Sequence, residues 1–444
     1  MKEFRNHTKN MEEKCMKKLT LGVLGLGEGR SIISACLESE MWELGNICDI
    51  NEEVCKERVE EFGLSKYTTS YEDILGDPSI DVIGIYTPDQ LHATHIKMAL
   101  EAGKHVICTK PLMINLDEAN ELLEVQKRTG NYVFVGQSSR YFEPAKMQRK
   151  DFLDGLHGEL VTLETHYISD SRWFLTKDWS HKKGFSWLYN FMNHAVDLAV
   201  WYLPEVEEVY SVGVVSQNTK ERGLSVPDTM KTILKNKDGV CASISGVYAT
   251  PTLGSAVEQS ISCTLRGTKG ISRAGYPKLK YYTNFAPIEK TVQLHTYDDL
   301  HGYFFRFEAE SHHAGEYQNY IEYFATCLNE GNTPKPDLNE GIRTLAVMEA
   351  IKEERYEVMG RNVRNAMTNG VCKEPGDWGF DVIGEQGEHY YHTNYYQSRY
   401  PGVLGHLDEW RGGMQVWNPS WITAQVLQNN LMFYHESKVR EDNV

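Results

Sequence analysis

Residues Leu19–Ile32 read LTLGVLGLGEGRSI. An apolar run, Leu21–Leu24, meets three glycines, Gly25, Gly27 and Gly29, and a helix-like segment starts at Ser31. A second apolar stretch then ends in an acid, Asp49 of NICDINEE. Strand, glycine turn, helix, strand and acid is the order of a dinucleotide-binding βαβ unit. Glycines let the backbone turn tightly and approach a pyrophosphate. The helix N-terminus offers that anion unpaired N–H groups and a positive dipole end. The acid can accept both hydroxyls of an adenosine ribose. The glycine spacing is irregular: Gly25 and Gly27 fit G-x-G-x-x-G, but Arg30 holds the third place and the extra glycine sits one position early. A strand–turn–helix without a ligand is the alternative.

The surrounding chain has the proportions of a globular enzyme. Its 444 residues are too many for one typical core, so two domains with appendages are expected. It is 41% hydrophobic and 24% charged, both ordinary values. A formal net charge of −16 argues against nucleic acid or an anionic membrane as partner. No apolar run is long enough to span a bilayer. The first residues, MKEFRNHTKNMEEKCMKK, lack the apolar core of a secretory signal, and 1–17 read as a mobile tail. The nine cysteines include no C-x-x-C pair. Cys36, Cys48, Cys108 and Cys263 lie in apolar contexts and read as buried reduced thiols, which suits the cytoplasm.

Working outward, strands read at Leu19–Leu24, Leu44–Asp49, Val82–Tyr86, His105–Thr109 and Tyr132–Val135. Helices read at Ser31–Ser39, Asn51–Phe62, Leu91–Ala102 and Leu116–Arg128. This alternation predicts a Rossmann-type α/β domain over 18–140, with a doubly wound parallel sheet. Gly103 and Gly130 sit where helix C-termini belong. Beyond Phe142 the pattern changes to longer alternating segments. They lie at Leu160–Ile168, Val206–Val215, Thr229–Leu234, Val240–Val247, Ile261–Leu265, Lys278–Tyr282 and Thr291–His295. Few helices intervene apart from one near Phe191–Tyr202, and two more follow at Gly315–Asn329 and Leu338–Met359. Residues 141–360 are therefore expected to form an α+β domain with a large, open, mostly antiparallel sheet. The remaining residues, 361–444, are rich in aromatics, including Trp378, Trp410, Trp417 and Trp421. Disordered tails are usually depleted in aromatics, so this extension is expected to be ordered, over the substrate cleft or on a neighbouring subunit.

Ligands of doubly wound sheets bind beyond the carboxyl ends of strands. Thr87-Pro88-Asp89 follows one strand and Lys110-Pro111 follows another, with Gln137 and Arg140 after the last. A lysine directly after a buried strand, stiffened by proline, could donate to a substrate hydroxyl or a nicotinamide amide. A surface lysine in a loop is the plain alternative. Farther on, Asn190, His194 and Asp197 share a helical face at spacings of four and three. A histidine suits proton transfer near neutral pH, and a helix-surface His–Asp pair is the competing reading. Trp173, Phe174, Trp179, Phe185, Trp187 and Tyr189 could pack against sugar C–H faces or flat aglycones, although at least half of them suit a core better.

Taken together, GLGEGRS at 25–31, Asp49, TPDQLHATHIKMALEAGKHVICTKP at 87–111, GQSSRYFEP at 136–144 and FMNHAVDLAVW at 191–201 resemble the glucose–fructose oxidoreductase, inositol dehydrogenase and rhizopine-catabolism (Gfo/Idh/MocA) family. The resemblance covers roughly 18–360. It implies NAD or NADP on a Rossmann domain, with Asp49 followed by Ile50 and Asn51 favouring NAD, and hydride transfer to or from a secondary hydroxyl of a sugar, glycoside or cyclitol. It implies no metal. A second domain would mediate homo-oligomerisation through its open sheet. The cofactor would meet Gly25, Gly27, Glu28, Gly29, Arg30, Ser31, Asp49, Thr87, Pro88, His92 and Lys110. Substrate would meet Lys110, Arg140, Trp173, Asn190, Asn193 and His194. Lys110 and His194 match the catalytic lysine and histidine of the family, with Tyr189 or a water chain as substitute base. Thr109 stands where the family has glutamate and Asn190 where aspartate is frequent. Asparagine cannot exchange a proton, so a two-residue relay is not expected. Two other functions fit the same residues. One is a glycosidase that oxidises, eliminates, adds water and reduces with NAD retained. The other is a non-catalytic NAD-binding sensor or scaffold.

Overall fold

The computed structural model describes residues 17–182, 184–254, 256–287, 292–297 and 315–354, and three two-residue strands beyond. The elements of the first part are β1 (Leu19–Leu24), α1 (Gly29–Glu38), β2 (Trp42–Cys48), α2 (Glu52–Phe62), α3 (Tyr71–Gly76), β3 (Val82–Ile85), α4 (His92–Glu101), β4 (His105–Thr109), α5 (Ala119–Thr129) and β5 (Val133–Gly136). They continue with α6 (Glu143–Leu153), β6 (Leu160–Ile168), α7 (Asn193–Tyr202), β7 (Val206–Val214), α8 (Gln217–Lys220), β8 (Thr229–Asn236), β9 (Cys241–Val247), β10 (Ile261–Gly267), β11 (Gly270–Tyr276), β12 (Lys280–Phe285) and β13 (Gln293–Thr296). The last are α9 (Glu316–Glu330), α10 (Leu338–Glu354), β14 (Arg361–Asn362), β15 (Val382–Ile383) and β16 (His389–Tyr390). The expected tail 1–17, all but its last residue, and the aromatic extension, apart from β14–β16, lie outside the described residues. Among the described residues no helix is long and apolar enough to cross a membrane.

Contacts divide the chain into two compact units, the first holding β1–β5 and α9 and the second holding β6–β13 and α10. In the first unit five parallel strands run in the order β2-β1-β3-β4-β5. Leu21, Val23, Val82, Ile83, Ile85, Val106, Ile107 and Phe134 are fully buried, as a parallel sheet covered on both faces requires. The register aligns Leu24 with Cys48 on one side and with Ile85 on the other. The glycine turn, Asp49 and Thr87 thereby emerge along one carboxyl edge, beside the point where strand order reverses. Local signals hold: the Asn51 side chain caps α2 by accepting from the Glu53 N–H, and Gly63 closes it in a left-handed conformation.

One helix falls elsewhere than the sequence division implies. α9, read as part of the second domain, packs in the first unit. The Trp42 indole donates to the Ile321 carbonyl at 3.0 Å and stacks on Phe324, and the Tyr86 and Tyr320 hydroxyls bond at 2.6 Å.

In the second unit nine strands run in the order β13-β12-β11-β10-β6-β9-β8-β7-β14, with β6–β9 the parallel pair. Strict alternation buries Leu163, Thr165, Ala242, Ile244, Met230 and Leu234 on one face, against which α7 packs. The opposite face carries Glu164, His166, Lys231 and Ile233. The strand at Leu160–Ile168 falls where the sequence places it, whereas α6 and β11 are additions that the sequence reading lacks.

Candidate active site

Each glycine of the first turn answers a different demand. Gly25 has φ +85°, and a Cβ there would lie 2.6 Å from the Tyr86 carbonyl, so no other residue fits. A Cβ at Gly29 would press on Val23, which lets α1 lie close on β1, while around Gly27 nothing approaches within 4 Å. The turn is thus bare backbone leading into the N-terminus of a ten-residue helix, the cradle a pyrophosphate requires. The Asp49 carboxylate accepts from the Leu26 N–H and the Asn51 N–H, both at 2.9 Å. It is half-buried at the mouth of that turn, where a ribose diol would meet it. These residues fit a nicotinamide dinucleotide.

Other expected cofactor contacts divide. Glu28 is exposed and accepts from the Tyr317 hydroxyl at 3.3 Å, and Arg30 pairs with Glu61 at 3.4 Å. Thr87 is half-buried, with its hydroxyl 2.9 Å from His95 Nδ1, and Pro88 is exposed. Two of the expected contacts are buried. Ser31 is 1% exposed and its N–H is taken by the Glu28 carbonyl. His92 is fully buried with Nε2 at 2.8 Å from the Thr87 carbonyl, so it braces the loop from below.

In the second unit Lys110 reaches the helical stretch that carries Asn190 and His194. Lys110, one residue past β4, donates from Nζ to the Asn190 carbonyl at 2.7 Å. Asn190 lies in a π-helical turn, Leu188–Met192, that runs into α7. Such turns leave carbonyls off the ordinary ladder and recur at functional sites. His194, the second residue of α7, is half-buried between buried Asn193 and Ala195. Its Nδ1 is 2.7 Å from Ser139 Oγ, and the Tyr167 ring meets it edge-on at 5.7 Å. The pair Lys110 and His194 is therefore brought together through one stretch of helix.

Three expected substrate contacts are bonded within the fold. Arg140 is 3% exposed and forked onto Asp197, Nε to Oδ2 at 2.7 Å and Nη2 to Oδ1 at 2.8 Å, with Nη1 on Glu340 at 2.5 Å. Asp197 also accepts from the Thr344 hydroxyl at 3.0 Å. Burial opposes the Arg140 charge, but Asp197 and Glu340 outweigh it and hold the guanidinium proton. The same burial raises the Asp197 carboxyl above its ordinary range even with Arg140 beside it. Arg140 thus ties its own turn to α7 and α10. Asn193 is 1% exposed with its amide on Met348 Sδ at 3.4 Å, a core position. The Asn190 amide oxygen accepts from the Ser186 N–H at 3.2 Å, closing its own turn.

The aromatics divide as a core would. Trp187, Tyr189 and Phe185 are buried, with Trp187 stacked on Tyr248 at 5.1 Å and the Tyr189 hydroxyl bonded to Glu349. Trp173 is 59% exposed beside Lys177 and Phe174. Sequence reasoning missed Ser139 and Tyr167. Ser139 stands next to Arg140 in GQSSRY, but only the fold brings it to His194.

Comparison with known proteins bears on the fold and the family. The model of an oxidoreductase family with an NAD-binding Rossmann fold matches 19–137, and that family's C-terminal α/β domain matches 154–359. Levoglucosan dehydrogenase of Pseudarthrobacter phenanthrenivorans is 27% identical over 213 residues, which are 44% of this chain and 54% of that protein. An α-N-acetylgalactosaminidase of Shewanella oneidensis is 31% identical over 182 residues, 39% of each chain. The chain thus spans about half the length of the first relative and less of the second. The solved structure of levoglucosan dehydrogenase with NADH and levoglucosan superposes with a TM-score of 0.63 at 21% identity, over 76% of this chain and 97% of that one, which shows a shared fold. The two family models together span most of the chain, and the protein belongs to the Gfo/Idh/MocA oxidoreductase family, with the NAD-binding Rossmann domain of that family at its N-terminus.

Proposed function

We propose that the protein is an NAD-dependent dehydrogenase that oxidises a secondary hydroxyl of a sugar, glycoside or cyclitol. The observation that carries the reading is the Lys110 ammonium on the Asn190 carbonyl and, four residues along the same helical stretch, the His194 imidazole on Ser139. NAD+ bound on the glycine turn supplies the acceptor for the hydride that leaves the carbinol carbon. His194 accepts the hydroxyl proton and later passes it to solvent, while Lys110 donates a hydrogen bond to the hydroxyl oxygen as it becomes a carbonyl. The alcohol loses a hydride and a proton, so one ketone and one NADH form. Asp49, followed by Ile50 (93% exposed) and Asn51, supports NAD over NADP, because it would repel a 2′-phosphate with no adjacent cation to offset it.

In this reading residues 18–140 hold the cofactor, together with α9, and 141–360 supply most of the substrate site. Trp173 offers a face for the distal part of a glycoside. The exposed Val212, Ile233 and Leu294 of the sheet support self-association into a homo-oligomer. The buried free thiols Cys36, Cys48, Cys108 and Cys263 support a cytoplasmic setting. The test is replacement of Lys110 or His194 by alanine. Turnover should fall about two to four orders of magnitude while calorimetric NAD affinity stays near that of the parent. Near-parental turnover in His194→Ala would remove it as the base.

A further inference from the structure

His194 takes its orientation from a hydroxyl. Along the helical stretch that carries it, the side chains of Asn190 and Asp197 are engaged, Asn190 with the Ser186 N–H and Asp197 with Arg140 and Thr344. What meets Nδ1 is Ser139 Oγ, at 2.7 Å, on a side chain only 1% exposed. Ser139 belongs to the short turn Ser138–Tyr141. Its neighbour Arg140 clamps that turn to α7 by two parallel bonds to Asp197, one helical turn beyond His194, and to α10 through Glu340. The buried ion cluster therefore sets where Ser139 stands relative to the ring.

We propose that Ser139 is the positioning residue of His194, accepting from Nδ1–H so that the lone pair lies on Nε2, the nitrogen that must take the proton. The inference rests on the reading of His194 as the base. An Nδ1–H ring can accept at Nε2, whereas a ring receiving the Ser139 O–H at Nδ1 would carry its proton on Nε2 and could not. When Nε2 takes a proton the same bond persists, now from an imidazolium donor and therefore stronger. Among the described contacts the Tyr167 ring of β6 meets the His194 ring edge-on, and the nearby charged groups bond its neighbours in the chain or those of Ser139: Lys110 at the Asn190 carbonyl and Arg140 with Asp197 and Glu340.

The experiment is nitrogen-15 NMR of ring-labelled histidine in the full chain, with His194→Ala used to assign the signal. Wild-type protein should show the Nδ1–H tautomer, and an Nε2–H tautomer would overturn the proposal whatever the variants do. Ser139→Ala should shift the signal toward Nε2–H and lower kcat roughly tenfold, the worth of one neutral hydrogen bond, with the NAD dissociation constant unchanged. Ser139→Asp should move the acidic limb of the kcat profile up by about one pH unit. If His194→Ala is inactive yet Ser139→Ala changes neither tautomer nor profile, Ser139 has no positioning role and the base assignment stands. If His194→Ala remains active, the reading of the base fails instead.

Discussion

Arg140 and Asp197 sit 3% and 1% exposed with two parallel hydrogen bonds between them. Neither is available to a substrate, and both are far too deep to be left unpaired. Replacing Asp197 by asparagine would leave a buried guanidinium with one acid, Glu340. Breaking such a pair from one side destabilises by about 3–5 kcal/mol, whereas exchanging both partners for apolar residues of similar volume is often nearly neutral. Urea denaturation should show that loss for Asp197→Asn and much less for the double change Arg140→Met with Asp197→Leu. An unaltered midpoint for Asp197→Asn would mean that the cluster does not hold the turn at 138–141. The same residues show what a sequence discloses at this scale. Lys110 and His194 were legible because a lysine after a buried strand and a histidine in a helical H-x-x-D are locally unusual. Arg140 was not, because its partners lie 57 and 200 positions away, and an arginine after a strand looks the same whether it greets a ligand or an internal acid. Ser139 carries no signal of its own, since serines are common in turns.

Elements divide along similar lines. Every strand of the first sheet announced itself as a short apolar run, and the glycines at the ends of α4 and α5 adopt the left-handed conformation expected of helix C-termini. The helix α6 did not, although Pro144 stands at its start. Its sequence EPAKMQRKDFL buries only Pro144, Ala145 and Gln148, too little apolar periodicity to separate a helix from a polar loop. The strand β11, GISRAGY, has two glycines and weak alternation, and its pairing with β10 and β12 supplies what propensity lacks. Helix α9 reads as a helix of the second domain yet packs in the first unit, because an apolar stripe states that a face is buried and not against what. The glycine turn gives the sharpest test of an element. Gly25→Ala should lower both the melting temperature and NAD affinity, since its Cβ would meet the Tyr86 backbone at 2.6 Å with φ at +85°. Gly27→Ala has open space around it, so it should keep the melting temperature and weaken NAD alone. Equal behaviour of the two variants, by thermal melting and calorimetry, would show that the turn is not the cofactor cradle.

For the whole molecule, both units bury histidines. Burial lowers the pKa of His95 and His105 in the first unit and of His157 and His166 in the second below the usual value. The unfolded chain therefore binds protons first as pH drops below about 6.5, so stability rises with pH there and falls on acidification. The melting temperature should decline between about pH 7 and pH 5. His157→Gln, at a fully buried ring bonded to Ser272 at 2.7 Å, should flatten that decline. A melting temperature independent of pH over this window would mean that these rings are protonated equally in both states. The central claim is one of hydride transfer, and it is tested most directly by isotope. Sugars, anhydrosugars, cyclitols and glycosides deuterated at the carbinol carbon can be incubated with NAD+ and the protein, and both products read by mass. At least one of them should yield stoichiometric deuterated NADH and a ketone two mass units below the unlabelled alcohol. Release of free sugar from a glycoside without net NADH would contradict it in favour of redox-neutral cleavage, and NAD binding without any product would contradict it in favour of a sensor.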